Sequence, residues 1–101
     1  DAEAEHDHDD FDSFVLDVPA LADPGRFVEK LAEVARAHDV LRIKGFLDVT
    51  AKPMRLLVQG VGARFRQHYD RPWRPGEARQ GRIVVIGEKG LDRAAITAAL
   101  A

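Results

Sequence analysis

Val40-Leu41-Arg42-Ile43-Lys44-Gly45-Phe46-Leu47 alternates in side-chain character, with a glycine set inside the pattern. A pleated chain sends successive side chains to opposite faces, so Leu41, Ile43 and Leu47 define a dry face and Arg42 and Lys44 a basic one. The stretch reads as a central strand. Gly45 interrupts the dry face, which marks a bulge or the close approach of another backbone or side chain. Only Arg82-Ile83-Val84-Val85-Ile86-Gly87 is comparable, and its four consecutive apolar residues predict a strand covered on both sides. Together the two predict the middle of one sheet.

On the N-terminal side, Phe11 to Val18 alternates through Phe14, Leu16 and Val18, which predicts a first strand. Asp23 is a good helix N-cap, and Pro24 suits the first helical position, where its missing N–H would have no partner anyway. Phe27, Leu31, Val34 and His38 follow at helical spacing, so a helix is expected over 24–38 with Phe27, Leu31 and Val34 on its buried edge. On the C-terminal side, Asp48 to Pro53 reads as a turn. Met54, Leu56 and Val58 then alternate, Gly60-Val61-Gly62 allows a tight reversal, and Ala63, Phe65, Gln67 and Tyr69 alternate with Arg64, Arg66, His68 and Asp70, a hairpin in which Tyr69 shares the inward parity of Phe65. Arg71-Pro72-Trp73-Arg74-Pro75-Gly76 is too proline-rich to continue a strand and predicts a loop. A short helix closes the chain, with Asp92 as its cap and Leu91 placed to staple against Ile96. The order β-α-β-β-β-β-α, with hairpin-linked neighbours, predicts an α+β fold: one small domain over 11–101, a largely antiparallel sheet and helices packed on one face.

Charge divides the chain unevenly. Residues 1–10, DAEAEHDHDD, hold six acidic side chains and no basic one, so the net charge of −2 conceals a mildly basic body. The leader has no large apolar residue with which to order itself and is expected to be a flexible linker. It opens on Asp1, as expected of a piece cut from a longer chain. With no cysteine, disulfides, thiolate metal sites and a cysteine nucleophile are excluded, which suits a reducing, cytoplasmic location. No apolar run is long enough to span a membrane.

His6-Asp7-His8-Asp9-Asp10 is the sharpest chemical feature. Two imidazoles flanked by carboxylates supply the nitrogen and oxygen donors that zinc or cobalt accepts. The same run also reads as a solvated acidic linker with incidental histidines, because it lacks preorganised geometry. Arg64, Arg66, Arg71, Arg74, Arg79 and Arg82 lie within nineteen residues, opposed only by Asp70 and Glu77. A cationic strand near Tyr69 and Trp73 could face single-stranded nucleic acid. The modest net charge of the body favours instead a solvated or partner-facing sheet surface, with Trp73 as a loop anchor. Ser13, the sole serine, has no histidine near it in sequence, and no Gly-Lys pair exists to build a phosphate-binding loop. Catalysis by these residues is not expected.

Laid out in order, Phe14-Val15-Leu16, Arg42-Ile43-Lys44-Gly45-Phe46, Gln59-Gly60-Val61-Gly62, Trp73, Ile83-Val84-Val85-Ile86-Gly87 and Leu91-Asp92 resemble the C-terminal domain of the CobW family of P-loop GTPases. The likeness spans nearly all of 11–101 and includes a histidine-bearing acidic linker ahead of the domain. It implies a parent protein whose upstream GTPase domain binds GTP, magnesium and a transition metal and passes that metal to a client. In the cobalamin branch the client is the cobaltochelatase-type machinery that inserts cobalt, while related branches serve zinc. The P-loop, the guanine-recognition motif and the CxCC metal motif are all missing here, so none of those functions transfers to these residues. What the resemblance leaves is an accessory domain that contacts the GTPase domain or the client, with weak metal capture at His6, Asp7, His8, Asp9 and Asp10. The partner-facing residues expected are Arg42, Lys44, Arg64, Arg66 and His68. A plain interaction module with a basic strand face is the alternative.

Overall fold

The computed structural model describes residues 10–101. The elements are β1 (Phe11–Val18), α1 (Pro24–Ala37), β2 (Val40–Leu47), β3 (Met54–Val61), β4 (Arg64–Pro72), β5 (Gly81–Glu88) and α2 (Arg93–Leu100). The strands form one sheet in the order β1-β5-β2-β3-β4, every neighbouring pair antiparallel. The α+β order read from the sequence is the observed one. β2 lies at the centre, flanked by β5 and β3.

Each helix starts where its cap chemistry allows. The Asp23 carboxylate accepts from the Arg26 N–H at 3.1 Å ahead of Pro24, and the Asp92 carboxylate accepts from the Ala95 N–H at 3.0 Å. α1 ends at Ala37 with His38 as its C-cap, one residue earlier than the apolar spacing suggests, and Asp39 at φ 51° turns the chain into β2. The helices cover one face of the sheet. Leu31 of α1 and Ile96 of α2 are fully enclosed there with Ile43, Leu47, Val58, Ile83 and Val85. Burying a side chain of this size contributes roughly 1.5–3 kcal/mol, so these seven dominate the cohesion of the domain.

Gly45 has the close neighbour that its position in the pattern predicts. A Cβ there would fall on the Arg82 carbonyl and the Ile83 Cα, so β2 and β5 can approach only because residue 45 has no side chain. Gly60 is not part of the turn proper. It lies inside β3, with the Phe65 ring occupying the space of its missing side chain, and the reversal is made by Gly62 at φ 57° and Ala63.

Four expectations are corrected. Leu41 is not on the dry face: the register slips between Val40 and Arg42, so Val40 is buried while Leu41 is exposed, its carbonyl accepting from Gly62 N–H at 2.9 Å. A single extra residue reverses the parity of whatever precedes it. β5 is not covered on both sides, because the helices pack against Ile83 and Val85 only, leaving Val84 36% exposed and Ile86 half-buried on the opposite face. Tyr69 has the parity of Phe65, as its pairing with Leu56 requires, but β4 is an edge strand and Tyr69 remains 39% exposed. β4 also runs on through Pro72, which pairs with Met54 at the sheet edge, where a residue without an N–H is tolerated.

Candidate protein interface

The pairing registers convert the sheet face away from the helices into a grid. Ser13, Ile86, Arg42, Val61 and Arg64 are successive partners across the five strands and form its first row. The second row is Val15, Val84, Lys44, Gln59 and Arg66, and the third is Asp17, Arg82, Phe46, Leu57 and His68. Read along the strands, β2 contributes Arg42 and Lys44, β4 contributes Arg64, Arg66 and His68, and β3 places Val61 and Leu57 between them. Strands lie roughly 4.8 Å apart, so the cations of β2 and β4 stand about 10 Å from one another, with Val61 between Arg42 and Arg64 and the polar Gln59 between Lys44 and Arg66.

These cations are exposed. Arg42, Lys44, Arg64 and Arg66 have no ion-pair partner among the described residues, whereas Arg55, Arg71, Arg79 and Arg82 each have one. Arg82 meets Asp17 at 2.9 Å on the β1 side. Arg55 grips Asp70 through Nε at 2.9 Å and Nη2 at 2.7 Å while its guanidinium carbon lies 3.6 Å from the centre of the Phe46 ring. That hydrogen-bonded arginine holds the Asp70 carboxyl below the usual carboxylate range. Arg71 stands near the end of β4, and Arg74 and Arg79 lie in the loop that follows it. Arg71 makes a two-point bond to Glu77 at 2.9 and 2.7 Å, and Glu77 also accepts from the Arg74 N–H at 2.8 Å, so its carboxyl is pulled down to about 2. Arg79 bonds Asp48 at 2.7 Å and the Lys52 carbonyl at 2.6 Å, and lies 5.7 Å above the Trp73 ring. Trp73 is half-buried beneath it, an anchor for the loop. Arg64 and Arg66 on β4 are thus set apart from Arg71, Arg79 and Arg82, whose guanidiniums act as structural clamps.

Sequence reasoning placed Arg42, Lys44, Arg64, Arg66 and His68 on strands, and the register brings all five to one face. It missed the apolar component: Val61 is 62% exposed, and Phe11 and Val15 at the β1 edge are also open. The signal for Val61 was its opposite parity to Leu56 and Val58, hidden by its reading as a turn residue. His6, Asp7, His8 and Asp9 lie outside the described residues. Asp10 is exposed beside the first strand, its carbonyl accepting from the Lys89 N–H at 3.1 Å. Among the described residues no group of three or more His, Cys, Asp or Glu side chains could hold a metal ion, and no helix is long and apolar enough to cross a membrane.

The fold and this face define a small α+β domain with one sheet face sealed by helices and the other open, cationic along two strands with exposed Val61 between them. The chain belongs to the family described as the cobalamin synthesis protein cobW C-terminal domain, which matches residues 11–101. It is 57% identical over 96 residues to the zinc chaperone CobW of a Sinorhizobium species, covering 95% of this chain and 27% of that protein. It is 54% identical over 84 residues to the zinc chaperone CobW of Pseudomonas aeruginosa, covering 83% and 22%. Among solved structures it superposes on Zn(II)-bound YjiA GTPase from E. coli with a TM-score of 0.73 at 29% identity, covering 94% of this chain and 30% of that one. The chain thus spans about a quarter of the length of the curated relatives it matches.

Proposed function

We propose that residues 11–101 act as the non-catalytic accessory domain of a cytoplasmic, CobW-type metal-delivery GTPase, with residues 1–10 as the linker that joins them to it. The domain contacts the GTPase domain of its own parent chain or the protein that receives the metal, through the open sheet face. The observation that carries this reading is the cluster of Arg42, Lys44, Arg64 and Arg66, exposed and without carboxylate partners among the described residues, around the apolar Val61. Uncompensated cations beside exposed apolar surface suit an acidic partner: charge steers the encounter and the apolar centre supplies burial. The upstream domain would supply GTP and magnesium chemistry.

The cargo favoured is zinc rather than cobalt, since the relatives are named as zinc chaperones and the similar GTPase structure is described as Zn(II)-bound. His6 and His8, with Asp7, Asp9 and Asp10, offer a weak capture site for it in the linker. A tethered site need not bind tightly, because a short linker gives an effective concentration of roughly millimolar near the neighbouring domain.

Two measurements test the parts separately. In the full-length parent, Arg64→Glu with Arg66→Glu should slow client association most strongly at low salt, and a GTPase rate and client affinity indifferent to that change would remove the docking role. Zinc and cobalt titrated into this chain and into a His6→Ala/His8→Ala variant address the linker. Stronger zinc uptake by the parent sequence is expected, and equal, negligible uptake by both would remove the metal role.

A further inference from the structure

We infer that the basic end of the open face is a docking site for the chain's own acidic segment, residues 1–9. Segment 1–9 carries five carboxylates, Asp1, Glu3, Glu5, Asp7 and Asp9, and no basic side chain. Four cations without a carboxylate partner among the described residues, Arg42, Lys44, Arg64 and Arg66, stand in the first two rows of the grid, at the end of the sheet where the leader enters. The register sets this: Phe11, the first residue of β1, pairs with Glu88, and the next inward-stepping partners lead through Ile86 to Arg42, Val61 and Arg64. The bond from Lys89 N–H to the Asp10 carbonyl ties the junction to that end.

Reach and charge both permit the contact. From β1 to β2 is two strand spacings, roughly 10 Å, and from β1 to β4 roughly 19 Å. Nine residues extend up to about 30 Å, so carboxylates along the segment can meet both cationic columns. The nearer strands carry three carboxylates, but Asp12 accepts from the Gly90 N–H and Asp17 is engaged with Arg82, which leaves Glu88 at the corner against four cations. Tethering supplies an effective concentration of roughly millimolar, so a contact with a Kd of about that size is half occupied. The inference stands independently of the client reading. If the same face also receives an acidic partner, that partner must displace the leader first.

The test is a comparison of backbone amide spectra of the whole 101-residue chain and the same chain carrying D1N, E3Q, E5Q, D7N and D9N. Neutralisation is expected to shift the amides of Arg42, Lys44, Arg64 and Arg66. The difference should shrink by more than half when salt rises from about 0.01 M to about 1 M, over which the Debye length falls from roughly 30 Å to roughly 3 Å. In an Arg64→Glu/Arg66→Glu background the neutralisation shifts at Arg42 and Lys44 should fall by at least about half. Shifts confined to Phe11–Ser13 and Glu88–Gly90 would overturn the inference, as would shifts that persist at high salt. Shifts that grow with protein concentration would assign the face to a second copy of the chain and overturn it equally.

Discussion

Gly45→Ala is the most severe small perturbation available to this fold. The added Cβ would coincide with the Arg82 carbonyl and press on the Ile83 Cα, both backbone atoms that cannot rotate away. Relief requires β2 and β5 to separate at the middle of the sheet, where Gly45 pairs with Ile83 on one side and Val58 on the other. Overpacking a well-ordered interior typically costs 1–3 kcal/mol and sometimes more, and the loss of ladder hydrogen bonds adds to it. The smaller conformational freedom of alanine in the unfolded chain returns only about 0.4–1 kcal/mol. A net loss of about 3 kcal/mol is expected, which for a domain of this size lowers Tm by roughly 12–24 °C. Gly62→Ala is the control. Gly62 has φ 57° with nothing near its missing Cβ, so the cost there is only the left-handed conformation, about 1–2 kcal/mol. Urea and thermal unfolding followed by circular dichroism compare the two. A Gly45→Ala protein within 1 kcal/mol of the parent, or more stable than Gly62→Ala, would refute the close-approach reasoning.

Three further outcomes follow from the same structure. Leu31→Ala removes a fully enclosed side chain under the sheet and should cost about 2–5 kcal/mol in urea unfolding, whereas Val61→Ala on the open face should change stability by less than about 0.5 kcal/mol. Asp23→Ala deletes the cap of α1 and should cost about 1 kcal/mol, largely recovered by Asp23→Asn. The Glu77 carboxyl is lowered from 4.5 to about 2 by Arg71 and the Arg74 N–H, so its contribution to stability is fully present above about 4.5 and is lost as pH falls through about 2. Carboxyl NMR should therefore place its titration near 2 and, in Arg71→Gln, closer to 4.5, and an unchanged midpoint in the variant would show that the arginine is not the cause.

The local chemistry of the chain was legible without any coordinates. Alternation and helical spacing depend on neighbours a few residues away, so β1, α1, β2, β3 and the hairpin could be read directly, as could the caps at Asp23 and Asp92, which satisfy N–H groups within three residues of themselves. The same locality made Gly45 informative, because a residue without a side chain inside an apolar pattern announces a neighbour even when that neighbour is unknown. Three things depended on which strand lies beside which. The slip between Val40 and Arg42 arises from β2 pairing with β5, so only tertiary structure could put Val40 inside and Leu41 outside. The exposure of Val84 and Ile86 follows from both helices lying on one side, a fact that four apolar residues in a row do not encode. Above all, Arg42 and Arg64 are far apart along the chain, and their cluster exists because both are held opposite Val61 by two different ladders. Composition determined that the body of this protein is cationic; pairing register, a non-local property, decided that four of those cations stand together.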